Sequence, residues 1–190
     1  MTSKKILIAF GTRYGTTEEI AKKIAEILET QELKTTVVDL KNTKSKNWPS
    51  LSEFDGIIVG SGIKIGRWMK EPQKFLKENQ EYLKQTEKPL GVFISCALCL
   101  TDKEKAINDY LQMVLANLGV QANLMIVFGP LIDFSETSKM GWMAKKMFKA
   151  AAIQDLRSAG YTINDNARND LRDWNAIAEF THDFARLLQN

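Results

Sequence analysis

Residues Gly11-Thr12-Arg13-Tyr14-Gly15-Thr16-Thr17 follow the apolar run Ile6–Phe10 and lead into residues of helical pattern. A strand that passes through a hydroxyl- and glycine-rich turn into a helix makes an anion site. Backbone N–H groups converge there, the helix dipole favours negative charge, and threonine hydroxyls add donors. Two further stretches follow strand-like runs. One is Ser61-Gly62-Ile63-Lys64-Ile65-Gly66, running on to Trp68; the other is Ser95-Cys96-Ala97-Leu98-Cys99, running on to Thr101. Cys96 and Cys99 have the spacing of a redox dithiol ahead of a helix start, where a thiol pKa is lowered. The simpler reading is two small apolar loop residues.

Several chemistries are excluded by spacing. The turn lacks the Gly-x-x-x-x-Gly-Lys-Ser/Thr pattern of nucleoside triphosphatases. Gly60-x-Gly62-x-x-x-Gly66 has the wrong spacing for the dinucleotide fingerprint and follows the third strand, not the first. Two cysteines and one histidine, His182, far apart in the chain, do not make a structural zinc set. His182 reads as a surface position on a closing helix, and Asp165 and Asp170 as a solvated turn. No Ser/His/Asp set or carboxylate dyad is apparent, so no catalytic or metal-ligating residue is assigned.

The elements that position these loops alternate regularly. Strands are predicted at Ile6–Phe10, Thr35–Leu40, Gly56–Gly60, Leu90–Ser95 and Leu124–Phe128, the first a buried, nearly continuous apolar run. Helices are predicted from a capping box Thr16-x-x-Glu19, over Pro72–Leu83, and from a second box Thr101-x-x-Glu104 to Leu118, with Gly119 ending it. Five alternations imply βαβ crossovers and one doubly wound parallel sheet, of order 2-1-3-4-5, with helices on both faces.

About sixty residues remain after Gly129-Pro130, where a minimal fold needs one helix. Lys139–Ala152 reads as a helix with Met140, Met143, Ala144, Met147, Phe148 and Ala151 on one face and Lys145, Lys146 and Lys149 on another. Its face is read either as core packing under a solvated lysine edge or as a surface for a membrane or hydrophobic partner. Leu171–Leu188 is the closing helix. The whole chain, 1–190, is read as one domain with an extra helical segment at about 131–170.

Composition agrees with an ordinary globular protein: 190 residues, 44% hydrophobic and 26% charged. No apolar run reaches the roughly 20 residues of a membrane span, and the N-terminus shows no cleavage region. The expected location is cytoplasmic, with a peripheral membrane role open through Lys139–Ala152. A net charge of +3 without arginine-rich runs does not support nucleic-acid binding.

In an open α/β sheet, ligands bind beyond the carboxyl ends of the strands, where strand order reverses. One phosphate loop with two loops able to grip a flat group is the layout of an FMN site. Thr12-x-x-Gly15-x-Thr17 after the first strand resembles the flavodoxin phosphate loop, and the βα units over about residues 4–130 are similar to flavodoxins. The resemblance implies that Thr12, Arg13, Tyr14, Gly15, Thr16 and Thr17 wrap the FMN phosphate. It implies that Ser61, Gly62, Ile63, Lys64, Ile65 and Gly66, with Ser95, Cys96, Ala97, Leu98 and Cys99, flank the ring, and that the Gly62 peptide can flip to meet a protonated N5. It implies electron exchange with ferredoxin-like or reductase-type partners.

The departures carry expectations of their own. The second ring loop has no aromatic, so ring contacts are aliphatic or sulfur. Flavodoxins are typically strongly acidic and this chain is not; Lys64, Arg67 and Lys70 lie in or beside the first ring loop, which predicts a less negative potential for the second electron, checked by potentiometric titration. Gly60-Ser-Gly-Ile-Lys-Ile-Gly66, Gly129-Pro-Leu131, the basic Met/Trp helix and Asp173-Trp174 resemble the flavodoxin-type, menaquinone-dependent protoporphyrinogen dehydrogenases. That resemblance implies a second function, oxidation of protoporphyrinogen with electrons passed to a quinone. A flavin-free binding module on the same fold is the third.

Overall fold

The computed structural model describes residues 3–189. Five strands form the main sheet: β1 (Lys5–Gly11), β2 (Lys34–Asp39), β3 (Gly56–Lys64), β5 (Leu90–Ser95) and β6 (Leu124–Phe128). All pair in parallel, in the order β2-β1-β3-β5-β6, and the short β4 (Arg67–Trp68) folds back antiparallel on the end of β3. This is the predicted doubly wound order.

Period-two alternation sorts the strand side chains onto two faces. Leu7, Ala9, Ile57, Val59, Val92 and Ile94 pack with Phe75, Leu76, Ala106, Leu111 and Leu115. Those partners lie on α2 (Lys70–Glu78), α4 (Lys103–Ile107) and the helical residues that follow α4. On the other face Ile6, Ile8, Phe10, Ile58, Phe93 and Phe128 pack against α1 (Thr16–Glu29) and α8 (Trp174–Leu187). Phe93, Phe128 and Phe180 form an aromatic cluster with ring centroids 5.8–6.4 Å apart. Gly60 is dictated by this cluster, since a Cβ there would stand 2.2 Å from Phe93 Cζ.

Both predicted capping boxes are misplaced. The residue ahead of α1 is Gly15, in left-handed backbone, and the Thr16 hydroxyl donates instead to the Leu131 carbonyl at 3.2 Å. Glu19 is held by arginines. At α4 the cap is Asp102, whose carboxylate accepts from Lys105 N–H at 2.9 Å. A carboxylate one residue later outcompeted the threonine. The helix predicted over 72–83 starts earlier and breaks at Asn79, where α2 gives way to α3 (Gln80–Gln85); the Asn79 side chain donates to Phe75 O at 2.9 Å. The helix predicted to Leu118 passes through a π-helical turn, Asn108–Gln112, before α5 (Met113–Leu118).

The extra segment is helical but is framed by two strands absent from the sequence reading. β7 (Leu131–Asp133) pairs antiparallel with β8 (Arg168–Asp170). Between them α6 (Trp142–Phe148) runs through a π-turn, Lys149–Ile153, into α7 (Gln154–Ser158). Ile132, Phe134, Met140, Ile153, Leu156 and Ile163 make a separate small core, with Ala144, Phe148 and Tyr14 packed on it. The predicted apolar face is therefore split. Met143 and Met147 are 59% and 56% exposed and Trp142 is 73% exposed, because only one of the two apolar stripes on this helix finds a neighbour. Nor do all its lysines point to solvent: Lys145 Nζ donates to Phe134 O, and Lys149 Nζ to Asp165 O at 2.9 Å.

Asp165 and Asp170 are likewise paired rather than merely solvated. Asp165 meets Arg157 at 2.8 Å, and Asp170 takes two hydrogen bonds from Arg172 at 2.6 and 2.7 Å. His182 is exposed on α8, its Nδ1 3.3 Å from the Gln31 amide.

Candidate functional site

The three loops leave the carboxyl ends of β1, β3 and β5, which are adjacent strands. Gly11 lies opposite Ser61, and Gly62 opposite Ser95, so register alone brings the three loops to one edge. Strand order reverses between β1 and β3, and a crevice for ligands opens at such a point.

In the first loop, Thr12 is buried and its Oγ1 accepts the Gly15 N–H at 3.0 Å, which closes the turn. Gly15 has φ 102°, a conformation that side chains rarely adopt. Among the described residues no protein acceptor takes the N–H of Arg13, Tyr14, Thr16 or Thr17. The Thr17 hydroxyl is spent on no carbonyl, unlike that of Thr181, which donates back to Ile177 O at 2.7 Å. These free donors at a helix start fit a phosphate. Arg13 stacks over the Tyr14 ring at 4.9 Å, and Tyr14 leans on the small core of the extra segment. Lys139 of that segment places Nζ 3.8 Å from where a Gly15 Cβ would stand. A cavity of about 310 Å³ separates loop and segment, lined among others by Gly15, Lys139, Asp133 and Arg168.

The second loop is a two-residue hairpin. Lys64 pairs with Arg67, and Ile65 and Gly66 at the tip have φ 50° and 69°, the left-handed pair that such a turn requires. Ile65 is 78% exposed. Ser61 holds the hairpin's return, accepting from Met69 N–H at 3.0 Å and donating to Gly62 O at 2.9 Å. Gly62 meets the first loop: a Cβ there would sit 3.2 Å from Thr17 Oγ1. Ile63 is half-buried beside Trp68, and Lys64 and Arg67 are exposed. Trp68 itself is buried, its indole N–H donating to Tyr110 O at 2.6 Å.

The third loop begins with Ser95, buried, whose hydroxyl donates to Gly129 O at 3.3 Å. Cys96 is buried and its N–H donates to Phe128 O at 3.0 Å; Ala97, Leu98 and Cys99 are half-buried. Cys99 Sγ donates to Cys96 O at 3.2 Å. The Cys99 thiol, then the backbone N–H groups of Cys99 and Leu98, lower the Cys96 pKa against the opposing pull of burial. Cys96 and burial push the Cys99 thiol up.

Tyr110, in the π-turn Asn108–Gln112, packs against the core on this face of the sheet. Its hydroxyl lies 4.0 Å from where a Gly66 Cβ would stand, so it approaches the hairpin tip. Burial, then the charges of Cys96 and Asp109, raise its pKa and keep the phenol protonated. Spacing carries no sign of the π-turn in which this residue lies.

The family model described as Flavodoxin domain matches residues 7–157. The chain belongs to the flavodoxin domain family. The free N–H groups of the first loop and the glycine approach at Gly62 fit FMN, and FMN is the cofactor of this flavodoxin-domain protein. It is a redox protein that works with redox partners, which leaves the flavin-free reading without support. Over 186 residues it is 23% identical to protoporphyrinogen IX dehydrogenase [quinone] of Escherichia coli strain K12, covering 96% of each chain. The flavodoxin of Streptococcus pneumonia TIGR4 shares the fold at a TM-score of 0.54 and 20% identity, covering 96% of this chain and 98% of that one. Rubredoxin oxygen:oxidoreductase from Desulfovibrio gigas reaches a TM-score of 0.57 at 15% identity, over 97% of this chain and 36% of that one. Among the described residues no helix is long and apolar enough to cross a membrane.

Proposed function

We propose that this protein is an FMN-dependent electron carrier that shuttles one or two electrons between redox partner proteins of ferredoxin-like or reductase type. The observation that carries this reading is the make-up of the two outer loops. They offer backbone amides, Ile63, Ile65, Ala97, Leu98 and thiols, groups that position a ring and shape its surroundings. FMN supplies one- and two-electron chemistry when bound. In this reading Arg13, Tyr14, Thr16 and Thr17 hold the phosphate through backbone N–H groups, with the Thr12 hydroxyl bracing the turn. Ser61 and Ser95 hold their loops in register, and Gly62 lets the ring approach. Lys64, Arg67 and Lys70, all exposed, favour an acidic partner surface and a less negative second potential.

A second reading has its own support. The similarity to the dehydrogenase runs through the extra segment as well as the sheet. Trp142, Met143 and Met147 are exposed beside Lys146, a surface suited to a quinone-bearing membrane face. In this reading the chain oxidises protoporphyrinogen and is peripheral to a membrane; in the first it is cytoplasmic. Flavin absorption bands in the purified protein test the shared site. Reduction by a low-potential donor protein, with electrons then passed to a second carrier, supports the first function. Protoporphyrinogen oxidation coupled to a menaquinone analogue would replace it with the second.

A further inference from the structure

Cys96 and Cys99 have no part in the electron path proposed above, yet the fold presents them as a pair. Ala97 is right-handed helical, Leu98–Leu100 form a tight turn, and Leu100 N–H donates to Ala97 O at 3.0 Å. Helical geometry sets Cα atoms three residues apart at roughly 5 Å, inside the ~4.4–6.8 Å span of disulfides. The Cys99 side chain turns back toward Cys96: its Sγ donates to the Cys96 carbonyl at 3.2 Å. Both cysteines are free, Cys96 buried and Cys99 the more open.

We infer that Cys96 and Cys99 form a reversible dithiol–disulfide couple in the third loop of the site. The oxidant class is a small disulfide such as oxidised glutathione. One cysteine sulfur attacks a sulfur of that disulfide and displaces one small thiol. The other cysteine then attacks the protein-side sulfur of the mixed disulfide and displaces the second small thiol. One S–S bond breaks in the oxidant and one forms between Cys96 and Cys99. Two electrons and two protons leave the protein with the two small thiols. The neighbouring thiol lowers the Cys96 pKa and raises that of Cys99, which favours Cys96 as the sulfur that attacks as a thiolate. Closing the bond removes the Cys99–Cys96 carbonyl contact and reshapes the loop. That this reshaping is felt by the flavin rests on the site assignment of the proposed function.

The test is a titration of the full FMN-loaded chain in glutathione buffers of stepped redox ratio under nitrogen. Free thiols are counted by alkylation and products identified by peptide mass. The expected result is joint loss of both thiols at one midpoint, giving a peptide lighter by two hydrogens that a dithiol reductant restores. The flavin absorption band should shift with the same midpoint. Cys99→Ser should abolish the intrachain product and leave only an adduct on Cys96. Two alkylatable thiols persisting across the whole range, or a glutathione adduct as the final product of the unsubstituted chain, would overturn the couple. An intrachain disulfide that forms while the flavin band stays fixed would uphold the couple and overturn the placement of this loop beside the ring.

Discussion

Gly15 and Ile65 both hold left-handed backbone, and the difference between them sets opposite expectations. At Gly15, φ is 102° and the space beside it is open apart from Lys139 Nζ at 3.8 Å. Gly15→Ala therefore costs backbone strain rather than a clash, about 1–2 kcal/mol, and should weaken both chemical stability and FMN affinity. Ile65 is a β-branched residue at φ 50°, exposed at a hairpin tip. Backbone strain of this kind marks functional positions. Ile65→Asn should relieve up to about 1 kcal/mol, because asparagine tolerates this region. A rise of roughly 2–4 °C in the thermal midpoint would register it. If Ile65 flanks the ring, FMN affinity falls in the same variant; a gain in stability with unchanged affinity would remove Ile65 from the site. Gly15 was legible in the chain, since a glycine between hydroxyl residues after a strand has few other uses. The strain at Ile65 was not, because the turn type follows from the pairing of Lys64 with Arg67.

At the scale of elements, the N-terminus of α1 is tied to the extra segment through charge. Arg172 is almost wholly buried and meets Glu19 at 2.9 Å and Asp170 at 2.6 Å, while its guanidinium lies 4.3 Å from the Trp174 ring. Nη1 faces Glu19 off the hydrogen-bond direction, so that contact is ionic. Arg168 reaches the same Glu19 carboxylate at 2.7 Å. Burial alone would raise the Asp170 pKa, but the side-chain and backbone hydrogen bonds of Arg172 and its charge overcome this and hold it below the usual range. A carboxyl depressed in the folded state contributes stability above its unfolded pKa, near 4, and loses it as pH falls through the folded value. Denaturant midpoints measured from neutral pH downward should therefore fall below about pH 4. In Asp170→Asn that acid limb should be shallower and the neutral stability lower. An unchanged limb would show that the clasp is not what links segment and helix. The pairing of Glu19 with Arg168 and Arg172 was not readable from the chain alone, because these residues lie about 150 positions apart in sequence.

At the scale of the whole molecule, one edge of the sheet gathers the phosphate loop, the hairpin and the cysteine turn, and the extra segment closes over α1 beside them. Ligand bound to the folded chain alone stabilises it by about 2.7 kcal/mol at a hundredfold excess over Kd. For a chain of this size FMN should raise the thermal midpoint by roughly 5–10 °C. A flavin-stripped sample that melts at the same temperature with and without added FMN would contradict the site. The exposed Trp142, Met143 and Met147 lie on the same segment that carries Lys139 to Gly15.

The amino-acid sequence by itself determined the sheet order, the five strands and the three loops at their carboxyl ends. These follow from local periodicity and from glycine and hydroxyl residues at turns, which depend on near neighbours in the chain. Tertiary structure decided the rest. It chose Asp102 over Thr101 as a cap, broke the helix at Asn79, paired β7 with β8 and sent Trp68 into the core. It also placed a π-turn at Asn108–Gln112. The cap at Asp102 and the break at Asn79 are settled between near neighbours in the chain; the strand pairing and the burial of Trp68 are settled between partners distant in sequence, by burial and hydrogen bonding that no local pattern encodes.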